Sequence, residues 1–199
     1  MIPSDKKSSM KDATFQSVAF LFEEVGMKIR KTQAGDLETV LGIYAQARKF
    51  MRETGNPSQW GDIWPPKDLI QADIQQQKSY VCVQEAEETA EQAEEILAVF
   101  FLEVAEDPTY AEIYEGSWLE EHCPYGVVHR IASVGKGAGG FCLEWALAEC
   151  GNIRIDTHEA NLPMRSLLKK LGYAYCGVIY THDGTPRLAY QKNKPQGLF

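Results

Sequence analysis

No apolar run in this 199-residue chain approaches the roughly 20 residues that a membrane-spanning helix needs. The one apolar stretch near the N-terminus, FQSVAFLFEEV, is broken by acids, which argues against a secretory signal. Positive charge is also scarce: 20 Lys and Arg stand against 28 Asp and Glu, leaving a net charge of −8. Nucleic-acid binding rests on basic side chains neutralising phosphates, so this balance argues against that partner and suits a cationic amine instead. Cysteines are few and odd in number (Cys82, Cys123, Cys142, Cys150 and Cys176), with no CxxC among them. A disulfide framework is thereby excluded and a reducing, cytoplasmic setting expected. His122 and Cys123 lie near His129 but without ligand spacing, so no metal is expected.

The length suits one domain. Residues 1–26 read as an N-terminal extension without sustained periodicity, residues 27–192 as the folded domain, and 193–199 as a tail. A strand is expected at Met27 to Arg30. Asp36 to Thr54 follows as an amphipathic helix that Asp36 can cap, with Leu37, Val40, Leu41, Tyr44, Ala47 and Met51 on one stripe. A loop holding Gln59, Trp60 and Trp64 leads to a second helix from Pro66 to Gln77, with proline in its first turn. Ser79 to Gln84 and Ile96 to Val104 read as strands, joined by the glutamate-rich run EAEETAEQAEE, a solvated hairpin loop. DPTYAEIYEGSWLEE is ambiguous between a strand start, a turn and a short helix. Near the end, Ala174 to Tyr180 and Arg187 to Gln191 flank the turn THDGTP. Strands on both sides of a parallel-like pair imply a mixed sheet with helices on both faces.

The densest information lies between Tyr125 and Tyr173. It reads strand (YGVVHRIAS), glycine loop (VGKGAGG), helix (FCLEWALAEC), strand (NIRID) and helix (NLPMRSLLKKLGY). A glycine loop between a strand and a helix start binds phosphate through outward-pointing N–H groups and the helix dipole. Gly135 to Gly140 satisfies GxGxxG, and Asp156 follows at a suitable distance, which fits an NAD(P)-binding fold. Against that reading, such a loop follows the first strand of its fold, whereas this one comes late. No Gly-Lys-Ser/Thr closes the motif either, so it is not a nucleotide-triphosphate loop.

The order of elements, the loop from Val134 to Gly139 and the Asn-led helix from Asn161 to Tyr173 together resemble the GNAT superfamily of acetyl-CoA-dependent N-acetyltransferases. The resemblance covers roughly residues 27–192. It implies a GNAT-like α/β (mixed α+β) fold: a twisted, mostly antiparallel sheet of about six or seven strands flanked by about four helices. It also implies acetyl-CoA as co-substrate and direct attack by a primary amine of a small molecule or peptide. Cofactor contacts are then expected from Ile131, Ala132 and Ser133 on the central strand, and from Lys136, Gly137, Ala138, Gly139 and Gly140 in the loop. Asn161, Met164 and Leu168 would add contacts from the last helix, and a backbone N–H of the Val128–Ile131 strand would face the oxyanion.

Acid–base candidates are Glu103, His129 and His158, with Tyr180 behind them; Gln59, Trp60, Trp64 and Asp156 are candidates for the acceptor pocket. Two positions depart from the family pattern. Val134 stands where Arg or Gln is usual, and Leu168 where the family often carries its general-acid Tyr. Those departures keep open a non-catalytic acyl-CoA-binding or regulatory domain as the alternative. The resemblance also allows a homodimer.

Overall fold

The computed structural model describes residues 26–84, 94–135 and 137–194. Residues 1–25 of the expected extension, most of the glutamate-rich run, Lys136 and residues 195–199 of the tail lie outside the described residues.

Seven strands form one sheet: β1 (Met27–Lys31), β2 (Ser79–Gln84), β3 (Glu95–Val104), β4 (Gly126–Ser133), β5 (Asn152–Thr157), β6 (Ala174–Tyr180) and β7 (Pro186–Asn193). Their order is β1-β2-β3-β4-β5-β7-β6, and every pairing is antiparallel except β4 with β5. A dinucleotide fold needs a mostly parallel sheet, so that alternative falls. Four α-helices accompany the strands among the described residues: α1 (Leu37–Glu53), α2 (Lys67–Gln75), α3 (Ala138–Cys150) and α4 (Leu162–Lys170). None of them is long and apolar enough to cross a membrane.

Alternation along the central strands divides their side chains between two cores. Val81, Val83, Val99 and Ala132 point to one face, where Val40, Ile43 and Tyr44 of α1, Ile70 and Ile74 of α2, and Trp60 cover them. Ala98, Phe100, Leu102 and Val128 point to the other, under α3 and Leu168 of α4. α3 buries most of its surface, which explains its nearly uniform apolar sequence.

A third, smaller cluster joins the segment between β3 and β4 to the C-terminal hairpin through Tyr110, Trp118, Tyr125, Cys176 and Ile179. Here the backbones touch: a Cβ on Gly116 would stand 2.0 Å from the Cys176 carbonyl oxygen. This is the segment the sequence left ambiguous. It forms only a 3-10 turn at Pro108–Tyr110 and one bridge between Tyr114 and Val178.

Two local expectations are corrected. Asp36 does not cap α1 through its side chain; its carboxylate accepts from Gln33 N at 2.7 Å and from the Arg30 guanidinium at 2.7 and 3.1 Å, which ties the helix entrance to β1. Pro66 is the N-cap of α2 rather than part of its first turn.

Candidate active site

β4 and β5 pair only at Gly126–Ile153 and Val127–Arg154, and then part. The cause lies in β4. Between the pairs Phe101–His129 and Val99–Ala132, β4 places Arg130 and Ile131 opposite the single residue Phe100, a β-bulge. Arg130 takes φ +52°, which disfavours a side chain by about 1–3 kcal/mol unless its surroundings over-determine it. They do. Its guanidinium makes two 3.0 Å hydrogen bonds to Asp73 of α2 and stacks over Phe101 at 4.4 Å. Its carbonyl accepts from the Tyr44 hydroxyl at 3.0 Å. A cleft of about 730 Å³ opens at the fork.

His129 stands in this cleft. Its Nε2 lies 2.7 Å from Asp107 Oδ2. The other Asp107 oxygen accepts from Thr109 N at 2.8 Å and Thr109 Oγ1 at 2.6 Å. Burial raises the Asp107 carboxyl, but the hydrogen bonds from His129 and Thr109 outweigh it and hold the group at about 2. An ionised Asp107 accepts only, so Nε2 carries a proton toward it, and in the neutral imidazole the lone pair lies on Nδ1. Nδ1 faces Asp156 Oδ1 at 3.9 Å, too far for a direct hydrogen bond. That same oxygen accepts from the buried Tyr110 hydroxyl at 2.8 Å, and Arg187 Nε stands 4.0 Å from Oδ2. A carboxylate-oriented imidazole with one free nitrogen can act as a general base.

Asp156 does not pair with Arg154, although the two share a strand face. Arg154 is buried between the rings of Trp118 (4.2 Å) and Tyr125 (3.9 Å) and donates to the Glu120 carbonyl at 2.7 Å. The aromatic cluster captures it first.

At the far end of β4, Val134 N and Gly135 N both donate to the Leu97 carbonyl, at 2.8 and 3.2 Å, which turns the chain into the glycine loop. Gly137 is the N-cap of α3 at φ +82°, a conformation that favours glycine. A Cβ on Gly139 would stand 3.3 Å from Ser133 Oγ, a tight contact that glycine avoids. The amides of Gly139 and Gly140, in the first turn of α3, have no intrahelical acceptor. Ser133 is exposed beside them; Ala132 is buried toward α1 and pairs with Val99 of β3. Lys136 lies outside the described residues.

Asn161 caps α4, its Oδ1 accepting from Met164 N at 3.2 Å, while its Nδ2 donates to Gln59 Oε1 at 3.0 Å. Gln59 also accepts from Asn56 Nδ2 at 2.7 Å, so the α1–α2 loop is fastened to the helix cap. Gln59, Trp60, Trp64, His129, Ile131, Asp156, Asn161 and Met164 thus line one cleft, although up to 105 positions of sequence separate them (59 to 164). Trp60 is largely buried edge-on to Tyr44, whereas Trp64 is 43% exposed.

Other nominated residues lie elsewhere. Glu103 pairs with Lys78 Nζ at 2.7 Å, away from the cleft. His158 turns its Nδ1 to the Ala160 amide at 3.1 Å, and burial, with Arg187 nearby, lowers its pKa. Leu168 is fully buried in the core, as an apolar side chain on the inner stripe of α4 must be. Tyr180 packs edge-on against Tyr114 at the surface. Asp107, Tyr110, Asp73 and Arg187 join the site only through the fold. Only Asp107 had a local sequence signal: Asp-Pro-Thr is a turn-initiating, helix-capping tripeptide. Among the described residues no cluster of three or more His, Cys, Asp or Glu is placed to hold a metal ion.

No family model matches this sequence. No curated protein matches it either. Solved structures do. An acetyltransferase of the GNAT family from Streptococcus agalactiae is 31% identical with a TM-score of 0.73, the match covering 86% of this chain and 97% of that one. A GNAT-family acetyltransferase from Listeria monocytogenes is 17% identical with a TM-score of 0.58, covering 84% and 94%. A ribosomal-protein-alanine N-acetyltransferase from Brucella melitensis is 16% identical with a TM-score of 0.53, covering 83% and 99%. The last two share the fold.

Proposed function

Because this chain belongs to the GNAT family of acetyltransferases, we propose that it transfers an acetyl group from acetyl-CoA to a primary amine of a small molecule or peptide, by direct attack. The observation that carries this reading is the fork between β4 and β5 with the His129–Asp107 pair inside it. The residues present fit the co-substrate. The clear, positive-φ helix start at Gly137 to Gly140 suits a pyrophosphate, with Lys136 adding charge. The Ile131–Ser133 backbone, Met164 and Asn161 suit the pantetheine arm. Bound there, acetyl-CoA supplies an acyl group activated as a thioester.

The chain's own residues do the rest. Asp156 holds the incoming ammonium. His129 accepts its proton at Nδ1, freeing the lone pair, while Asp107 holds the ring and stabilises the imidazolium. A backbone N–H of β4 donates to the oxyanion. The new C–N bond replaces the thioester C–S bond, and with Leu168 at the family's tyrosine position, solvent would protonate the departing thiolate. Residues 27–192 form the catalytic domain, and the acid balance and free cysteines support a cytoplasmic setting.

A thermal-shift series with acetyl-CoA, CoA, NAD and NADP tests the ligand, since a ligand that binds only the native state raises its stability. Stabilisation by the CoA species alone is expected; stabilisation by NAD without CoA refutes the reading. CoA release over an amine panel then tests catalysis. His129→Ala should lower turnover at neutral pH about a hundredfold while keeping the acetyl-CoA shift. Acetyl-CoA binding with silence across the panel favours the non-catalytic acyl-CoA-binding reading, which Val134 and Leu168 support.

A further inference from the structure

Building on the acetyltransferase reading above, we propose that the amine acceptor also carries a carboxylate, and that Arg187 receives it. The acceptor class is then an amino acid or a closely related zwitterion.

Arg187 projects from β7 with only 10% of its side chain exposed, and it lines the cleft. A guanidinium offers five N–H donors. Here one of them reaches an acceptor within hydrogen-bond distance among the described residues: Nη1 donates to the Pro186 carbonyl at 3.1 Å. The nearest carboxylate, Asp156, stands 4.0 Å from Nε. Asp183 adds a second attraction through space, but no carboxylate hydrogen-bonds the guanidinium among the described residues, and a buried cation held this way gains from a ligand that does. Arg130, equally buried in the same cleft, shows the alternative, with two 3.0 Å hydrogen bonds to Asp73.

Asp156 lies between two gaps, 3.9 Å to His129 Nδ1 and 4.0 Å to Arg187 Nε. Neither is closed by a hydrogen bond. An ammonium beside His129 and Asp156 takes up the negative charge of Asp156. A carboxylate on the adjoining carbon then reaches the guanidinium N–H groups of Arg187 that no protein acceptor engages among the described residues. The remaining charge explains why both groups are needed. Asp107, Asp156 and Asp183 also line the cleft, so a plain anion is repelled while a zwitterion is accepted.

The test measures CoA release for a panel of L-amino acids, each beside its carboxamide and its decarboxylated amine, with wild type, Arg187→Gln and Arg187→Lys. Wild type should show a KM about 10- to 100-fold lower for the amino acid than for its carboxamide, the range expected of a charge-assisted hydrogen bond. Arg187→Gln should erase that preference by raising the KM of the amino acid far more than that of its carboxamide or decarboxylated amine, and be partly rescued by Arg187→Lys. Equal KM values for acid and amide in wild type overturn the proposal, as does an equal rise for all three acceptors in Arg187→Gln. Calorimetric titration of the same compounds into the CoA-saturated protein separates this idea from its premise. A carboxylate preference in binding without CoA release sustains the Arg187 site and removes the acetyl-transfer reading; equal or undetectable binding overturns the Arg187 site itself.

Discussion

Two buried arginines line the same cleft and do different work. Arg130 and its partner Asp73 are 13% and 11% exposed; Arg187 and its partner Asp156 are 10% and 13% exposed. Burial is the same, so the desolvation each pair must offset is comparable. Pairing is not the same: the first closes to 2.8 Å and the second stays at 4.0 Å. The closed pair belongs to the wall of the cleft, where it holds a positive-φ residue and thereby the bulge that splays β4 from β5. The open pair faces the space the splay creates. An ion pair satisfied within the protein builds structure, while one left open keeps its charge for a ligand.

Two substitutions bear on that comparison directly, and a third on the His129–Asp107 pair in the same cleft. The largest effect is expected from Asp73→Ala, which strands the Arg130 guanidinium; urea denaturation should show a loss of about 3–5 kcal/mol. A loss under about 1 kcal/mol would mean that the bulge stands without Asp73, and the contrast would dissolve.

The next concerns acid stability. Asp107 titrates at about 2 in the folded chain, below its ordinary 3.8. A depressed carboxylate stabilises the native state fully above its unfolded value. That contribution is lost as pH falls from about 4 through about 2, up to about 2 kcal/mol in all. Asp107→Asn should flatten stability over that window; melting curves from about pH 2 to 5 check this.

The smallest stability effect is expected from Asp156→Asn. The amide oxygen still accepts from Tyr110, so unfolding free energy should move by no more than about 1 kcal/mol. The KM for the amine should nonetheless rise about tenfold with the loss of the charge. If Asp156→Asn destabilises the chain as much as Asp73→Ala, the open pair is structural after all.

Much of this architecture was legible before folding. The boundaries of β2 and β6 follow directly from their runs of β-branched and aromatic residues between polar turns. The glycine loop declared itself by composition, and Asn161 by its place ahead of an apolar helix. The segment between β3 and β4 stayed illegible because it has almost no periodic structure. Its conformation comes from tertiary packing of Tyr110, Trp118 and Tyr125 and from backbone contact at Gly116. Asp107 and Tyr110 sit in that segment, so the orienting half of the site was hidden with it. Glu103 and His158 looked equivalent to His129 as titratable residues on or near strands; their partners, Lys78 and the Ala160 amide, separate them.

The residues by themselves determined what depends on near neighbours: the strand and helix periods, the positive-φ glycine at the start of α3, the cap at Asn161 and the acid excess. Tertiary structure alone decided which charges meet. His129 finds Asp107 across 22 positions, Tyr110 finds Asp156 across 46, and Arg130 finds Asp73 across 57. Coulomb and hydrogen-bond energies fall off within a few ångströms, so such partnerships are settled only when the sheet brings the side chains into reach. Arg187 and Asp156 come within 4.0 Å in the same way and stop there.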